Sequence, residues 1–148
     1  MSFLTRNALT LVLTAALAFT AGLGLSQARE PFKIFTLLLT TSKTVMDEQI
    51  VYPSGVAKLT NGIVALAPGQ ETGWHTHGVP LTGLMLEGDL TVDYGEKGTR
   101  TFHKGESIAE AISIPHNGKN LGTDTVKLFV VYAGAEGVPT MTPVPPHQ

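Results

Sequence analysis

From residue 33 to residue 132 the chain is a succession of short apolar runs, each cut off by Gly, Pro or Asn, with no sustained helical period. Runs rich in Val, Ile, Leu, Thr and Phe between such breaks predict β-strands. The first expected strand covers Lys33 to Thr41, followed by a mostly polar connection, Ser42 to Asp47, and a turn at Tyr52-Pro53-Ser54-Gly55. Val56 to Thr60 and Ile63 to Leu66 flank Asn61-Gly62. That dipeptide best tolerates the positive φ angles of a two-residue hairpin, so a hairpin is expected there. Leu84 to Leu86 and Leu90 to Tyr94 are separated by a tight turn at Glu87-Gly88-Asp89, and Tyr94 to Gly98 reads as the tip of a hairpin returning along Thr99 to His103. Ser107 to Ile114 and Val126 to Tyr132 complete the set, the latter apolar enough for a strand buried on both faces. The tail from Gly137, GVPTMTPVPPHQ, is broken by proline and is expected to lie on the surface or fray. Many short antiparallel strands predict an all-β sandwich or barrel.

The N-terminus breaks this pattern. Residues 1–28 carry one base, Arg6, then the apolar run ALTLVLTAALAFTAGLGL, then Ser26-Gln27-Ala28 with small residues around a cleavage point. This is the layout of a secretory signal peptide, and the run is short and Thr/Gly-diluted for a membrane anchor. The mature chain is expected to start at Arg29, in the periplasm or outside the cell, with no stable membrane anchor after cleavage. Residues 29–51 then form an N-terminal strand and connection, 52–136 the barrel, and 137–148 the tail. With 10 Lys and Arg against 12 Asp and Glu the formal net charge is -2, and no basic stripe stands beside an aromatic platform. Nucleic acid is therefore not an expected partner. The chain has no cysteine, which removes disulfides, thiolate ligands and thiol nucleophiles from consideration.

The chemistry concentrates in two stretches. In Gly69 to Gly88, GQETGWHTHGVPLTGLMLEG, His75 and His77 are two residues apart in an expected strand and so share a face, where they could hold one metal ion or simply be hydrogen-bonded. In Gly105 to Asn120, GESIAEAISIPHNGKN, a third histidine, His116, lies three residues beyond Ser113 and four before Asn120. Glu110 sits in the apolar strand leading to it, on the face of Ile108 and Ile112. It is either a pocket carboxylate, serving as a fourth ligand or a general base whose pKa the apolar wall raises and a cation lowers, or a surface group paired with a Lys.

The two stretches resemble the motifs of the cupin family. Gly69, His75, His77 and Gly88 match its first motif and Gly105, His116 and Asn120 its second, over a resemblance running from about Tyr52 to Tyr132. Ala111 and Ser113 replace the second motif's Pro and Gly. The family's metal-binding Glu falls at Leu81, or at Thr82 on the longer spacing, and neither is a carboxylate. The resemblance implies a cupin-type double-stranded β-helix, or jelly-roll barrel, with a ligand pocket inside. It implies a divalent ion on His75, His77 and His116, with Fe(II) favoured and Zn(II) or Mn(II) as alternatives. Three neutral ligands leave the ion its full charge, so a bound water becomes more acidic than beside a carboxylate ligand.

Alternation then places Leu81, Gly83 and Met85 inward with the histidines, and Thr82 and Leu84 outward. Met85 reads as core filler, and Gly83 as either space for a ligand or a bend. Trp74 faces away from the ligands as packing, Asn120 holds the loop after His116, His103 is solvated, His147 lies in the tail, and Tyr52 packs in a turn. Three-histidine cupins without a carboxylate are known among dioxygenases. The expected function is a metal-dependent enzyme, oxygenase-like, acting on a small organic molecule, with Glu110 moving protons. The rival is a non-catalytic barrel that binds a small ligand as sensor or carrier. The apolar segment near Lys33 to Thr41 suits a homodimer.

Overall fold

Alternation governs burial in the strands that build the core. The computed structural model describes residues 34–146, so the signal-peptide reading, Lys33 and His147 lie outside the described residues. The strands are β1 (Ala57–Leu66), β2 (His75–Thr76), β3 (Leu81–Glu87), β4 (Leu90–Asp93), β5 (Thr99–Phe102), β6 (Ser107–Ala109), β7 (Asn117–Lys119), β8 (Val126–Ala135) and β9 (Thr142–Pro143). In β3, Leu81, Gly83 and Met85 are buried while Thr82 is exposed and Leu84 half-buried, as the alternation predicts. In β4 the inward row is Leu90 and Val92, and it continues into buried Tyr94. No helix among the described residues is long and apolar enough to cross a membrane.

A four-stranded sheet in the order β1-β8-β3-β6 and a three-stranded sheet in the order β5-β4-β7 supply the two walls of the core, and β2 pairs with β9. All pairings between strands are antiparallel. Leu66, Leu81, Met85, Leu128 and Val130 from the first sheet meet Leu90, Val92 and Phe102 from the second in one apolar cluster. Each such side chain removed from water contributes about 1.5–3 kcal/mol, the main term holding the walls together. This all-β, jelly-roll arrangement agrees with the fold expected from the sequence.

The structure departs from the expected strands in five places. No hairpin forms at Asn61-Gly62: β1 runs straight through, with Asn61 opposite Val131 and Gly62 opposite Val130. A ten-residue ladder with β8 satisfies that backbone, and a turn would break it. Residues 34–41 form no strand, although Leu37 and Leu38 are apolar and exposed. Strand propensity alone does not make a strand; ladder hydrogen bonds to a neighbour do. Strand β8 is not buried on both faces, because Val126, Leu128 and Val130 point inward while Phe129 is exposed. Strand β6 stops at Ala109, and the chain from Glu110 to Pro115 is irregular. Finally, the tail lies on the surface, as one of the two expected outcomes, but it does not fray: it returns along β2 through β9.

Gly88 ends the turn-over from one wall to the other. Its φ is +69°, and a Cβ there would lie 3.1 Å from the Thr125 carbonyl oxygen and 3.1 Å from Val126 Cα. Gly83 is not ligand space, since a Cβ would lie 2.9 Å from Leu128 Cδ1 and 3.3 Å from the Phe129 carbonyl oxygen. It lets β8 approach β3. Gly88→Ala combines a left-handed backbone, about 1–2 kcal/mol for a residue with a Cβ, with contact against backbone that has no rotamer to yield. The substitution is expected to destabilise the chain by at least about 2 kcal/mol, read as a lower denaturation midpoint at unchanged m-value. An unchanged midpoint would contradict this account of the turn.

Candidate metal centre

His75 and His116 are brought together by the backbone. Each donates its N–H to the other's carbonyl oxygen at 3.0 Å, an isolated antiparallel bridge that locks the two histidine segments side by side. The His77 N–H donates to the Ile112 carbonyl at 2.8 Å, and alternation from His75 to His77 puts both rings on the inner face. All three histidines are buried, with ring centroids 4.4 Å apart for His75–His116 and 5.0 Å for each of the other two pairs. One ligand atom from each lies within 4.8 Å of the other two.

Each ring is oriented from behind by a main-chain carbonyl. His75 Nδ1 meets the Gly73 oxygen at 2.7 Å, His77 Nδ1 the Thr140 oxygen at 2.8 Å, and His116 Nδ1 the Ile114 oxygen at 2.9 Å. A carbonyl only accepts, so in each neutral imidazole Nδ1 carries the proton and donates, leaving the Nε2 lone pair free. His116 Nε2 is fully buried and has no hydrogen-bond partner. Leaving such a group unsatisfied costs about 1–3 kcal/mol, and a cation bound at the three Nε2 atoms removes that cost. The donor set therefore fits a divalent metal ion held by three neutral imidazoles.

Leu81, where the family's carboxylate would stand, is buried and lines the cavity, whereas Thr82 points outward and donates its hydroxyl to the Ile108 carbonyl. Glu110 also lines the cavity but stands outside the ligand set. It is a pocket group rather than a surface one, although the strand expected to aim it ends one residue earlier. Its Oε1 accepts from the Tyr94 hydroxyl at 2.7 Å and from the Ala111 N–H at 2.7 Å. Burial raises the Glu110 pKa, and the two hydrogen bonds and nearby His75 only partly offset it. Burial, then the neighbouring Glu110 charge, likewise raises that of Tyr94. The cavity measures about 90 Å³, with Val64, Leu66, Leu90, Val92, Leu128 and Val130 among its walls.

Other expected roles resolve as follows. Asn120 is buried and holds its loop, donating to the Leu66 and Asp124 carbonyls at 2.8 Å each and accepting from the Gly122 N–H. Met85 is core, Trp74 is half-buried beside the cluster, and Tyr52 is exposed. His103 is exposed and pairs with Asp89 at 3.0 Å. Sequence reasoning missed Tyr94, whose place in the inward row of β4 was available from alternation. It also missed Tyr132, which packs edge-on to His77 at 5.6 Å, and Met141 of the tail, which lines the cavity. Glu48, placed just after a supposed connection, accepts from the Ile112 and Ser113 N–H groups and the Ser113 hydroxyl, fixing the irregular segment before His116. Burial opposes the Glu48 charge, but the hydrogen bonds from Ser113, Ile112 and Thr44 outweigh it and lower the pKa.

Burial is the first cause of lowered pKa values at His75, His77 and His116, with His77 brought from 6.5 to about 4. Between those two values the unfolded metal-free chain binds a proton at residue 77 that the folded chain refuses, so folding stability falls as pH falls. Glu110 acts oppositely above 4.5, where the unfolded chain ionises it and the folded chain keeps its proton. Glu110 is common to the parent and His77→Gln, so the difference between the two reports residue 77. The denaturation midpoint of the metal-free parent should therefore fall relative to that of His77→Gln as pH drops from 6.5 towards about 4. A difference that does not change with pH would show that the His77 imidazole is not buried as a neutral group.

The fold matches known proteins. A cupin domain model matches residues 62–132, which contain all three histidines and Glu110. Among solved structures, a DMSP lyase from Ruegeria pomeroyi aligns at 16% identity and TM-score 0.52, over 61% of this chain and 45% of that one. An oxalate decarboxylase from Lactobacillus farciminis, in a formate complex, aligns at 18% identity and TM-score 0.50, over 58% of this chain and 26% of that one. A cupin domain from Bordetella pertussis aligns at 20% identity and TM-score 0.46, over 58% of this chain and 99% of that one. The chain thus spans less than half of the two enzymes, and likeness at these identities extends to the fold alone. No curated protein matches the sequence significantly. With both histidine motifs converging inside a two-walled antiparallel barrel, residues 62–132 form a domain of the cupin superfamily.

Proposed function

We propose that this cupin is a metal-dependent enzyme, oxygenase-like, acting on a small organic molecule in the barrel cavity, with Fe(II) as the favoured ion and Zn(II) or Mn(II) as alternatives. The observation that carries this reading is the set of three imidazoles with Nδ1 committed to carbonyls and Nε2 free, His116 Nε2 being buried without a partner. A ferrous ion on such a set would supply Lewis acidity and open positions for a substrate and dioxygen. The chain's own residues do the rest. The apolar walls exclude water and accept a compact apolar body, and the absence of Lys and Arg from the lining leaves a polar head to face the histidines and Glu110. Glu110, held by Tyr94 and protonated more readily than an ordinary carboxyl, is placed to hold or pass a proton inside the cavity. The two enzymes sharing this fold are by name a lyase and a decarboxylase, so the barrel hosts several reactions; the oxygenase choice rests on the three-histidine resemblance.

A second reading is favoured by Leu81: with an apolar side chain where a carboxylate ligand is expected, the same cavity would bind a small ligand without converting it. Elemental content of the exported protein, measured beside a His75→Ala, His116→Ala variant, tests the metal. Near-stoichiometric iron lost in the variant is expected, with turnover abolished by chelation, restored by iron, and reduced about 100-fold or more in Glu110→Gln. Tight ligand binding with no conversion would favour the module, and failure to take up Fe(II), Mn(II) or Zn(II) would sink the metalloenzyme reading and leave the histidines as ligand contacts.

The proposal includes export and pairing. Leu37 and Leu38 are exposed, and β1 is a sheet edge that leaves Leu59 and Ile63 in solvent, surfaces suited to a second copy. Intact mass and sedimentation of the exported protein should give a homodimer of chains beginning at Arg29. A monomer, or a chain retaining residues 1–28, would reject the corresponding part.

A further inference from the structure

Two of the three imidazoles are oriented locally and one is not. His75 and His116 each donate Nδ1–H to the carbonyl two residues earlier, Gly73 and Ile114. The same arrangement for His77 would use the His75 carbonyl, which accepts the His116 N–H. His77 instead reaches Thr140, 63 residues away in the tail.

We infer that residues 138–144 form a positioning strap for the metal site: the Thr140 carbonyl selects the His77 tautomer that presents Nε2 to the cavity, while Met141 covers the mouth. This rests on the three-histidine metal reading. Several independent contacts seat the strap. Strand β9 pairs with β2, placing Pro143 opposite His75 and Thr142 opposite Thr76, and the Val144 N–H donates to the Trp74 carbonyl at 3.0 Å. The Val138 N–H donates to the Ala135 carbonyl, anchoring the strap's other end to β8. Between these anchors the strap crosses Gly78, where a Cβ would lie only 2.4 Å from the Pro139 carbonyl oxygen and 3.3 Å from Val138 Cγ1. The missing side chain is what lets the tail lie flat over the His77 segment. Met141 both lines the cavity and is 45% exposed, which places it at the opening. Pro139 and Pro143 restrict the free tail to extended conformations, so docking surrenders less backbone freedom.

The strap supplies no ligand atom, yet losing it frees the His77 ring to rotate or change tautomer. Carbonyl and carboxylate partners behind metal-bound histidines are worth about 10- to 100-fold in metal affinity.

Three variants test this: a chain ended at Gly137, Gly78→Ala, whose added methyl pushes Pro139 away without truncation, and Thr140→Ala, which keeps the accepting carbonyl. Zn(II) affinity is read by chelator competition, and histidine tautomers by ¹⁵N shifts in the metal-free proteins at mildly alkaline pH. The truncated chain and Gly78→Ala are expected to bind Zn(II) about 10- to 100-fold more weakly and to lose the Nδ1–H form at His77 alone. Thr140→Ala should match the parent. Retained shifts at His75 and His116 report an intact barrel, and should truncation unfold the chain, Gly78→Ala decides. Parent-like affinity and an Nδ1–H His77 in Gly78→Ala or the folded truncated chain would overturn the strap. A parent that binds no metal would sink the metal reading instead, with the tautomer measurement still deciding whether Thr140 sets the ring.

Discussion

The site depends on main-chain carbonyls holding the backs of three imidazoles. An imidazole has two nitrogens and one proton when neutral, so a carbonyl bound at Nδ1 decides that Nε2 is the ligating atom. Gly73, Ile114 and Thr140 supply those carbonyls, and the reciprocal hydrogen bonds between His75 and His116 bring two of the rings to 4.4 Å. The His77 ring takes its carbonyl from the tail instead.

Around this cluster the barrel is held by apolar contact between its walls and by a few buried polar anchors at its irregular points. Strand β6 ends before it reaches His116, so the intervening segment has no ladder to steady it. The Glu48 carboxylate takes that role, accepting from Ile112 and Ser113, and Asn120 does the same for the loop beyond. Glu110 lies between these supports, inside the cavity and tied to Tyr94. Its raised pKa and the lowered values of the histidines share one cause, burial that disfavours charge. Removing the ordinary carboxylate ligand while retaining a second, more protonated carboxyl gives this site a charge balance unlike that of a site with a Glu ligand.

The all-β class, the turns at Gly88 and Gly98, the inward row of β3 and the shared face of His75 and His77 were legible in the residues, because period-two alternation and turn chemistry act over a few positions. The resemblance to the cupin motifs added His116. Tyr94 was equally legible in the inward row of β4, where it ends the expected strand Leu90 to Tyr94 and opens the hairpin tip. What the local pattern could not supply was partnership. Asn61-Gly62 stays extended because β8 pairs with it through ten residues, and residues 34–41 form no ladder despite their apolar run.

The sequence by itself determined which residue types could carry the chemistry and which faces of the strands they share, since those depend on side-chain identity and a two-residue repeat. Only the tertiary structure decided that the Thr140 carbonyl orients the His77 ring, that Glu110 enters the cavity despite the broken strand, and that a proline-rich tail closes over His77. Each of these is a contact between segments 16 to 63 residues apart. Hydrogen bonding at that range is set by where the two sheets and their connections converge, and no local preference encodes it.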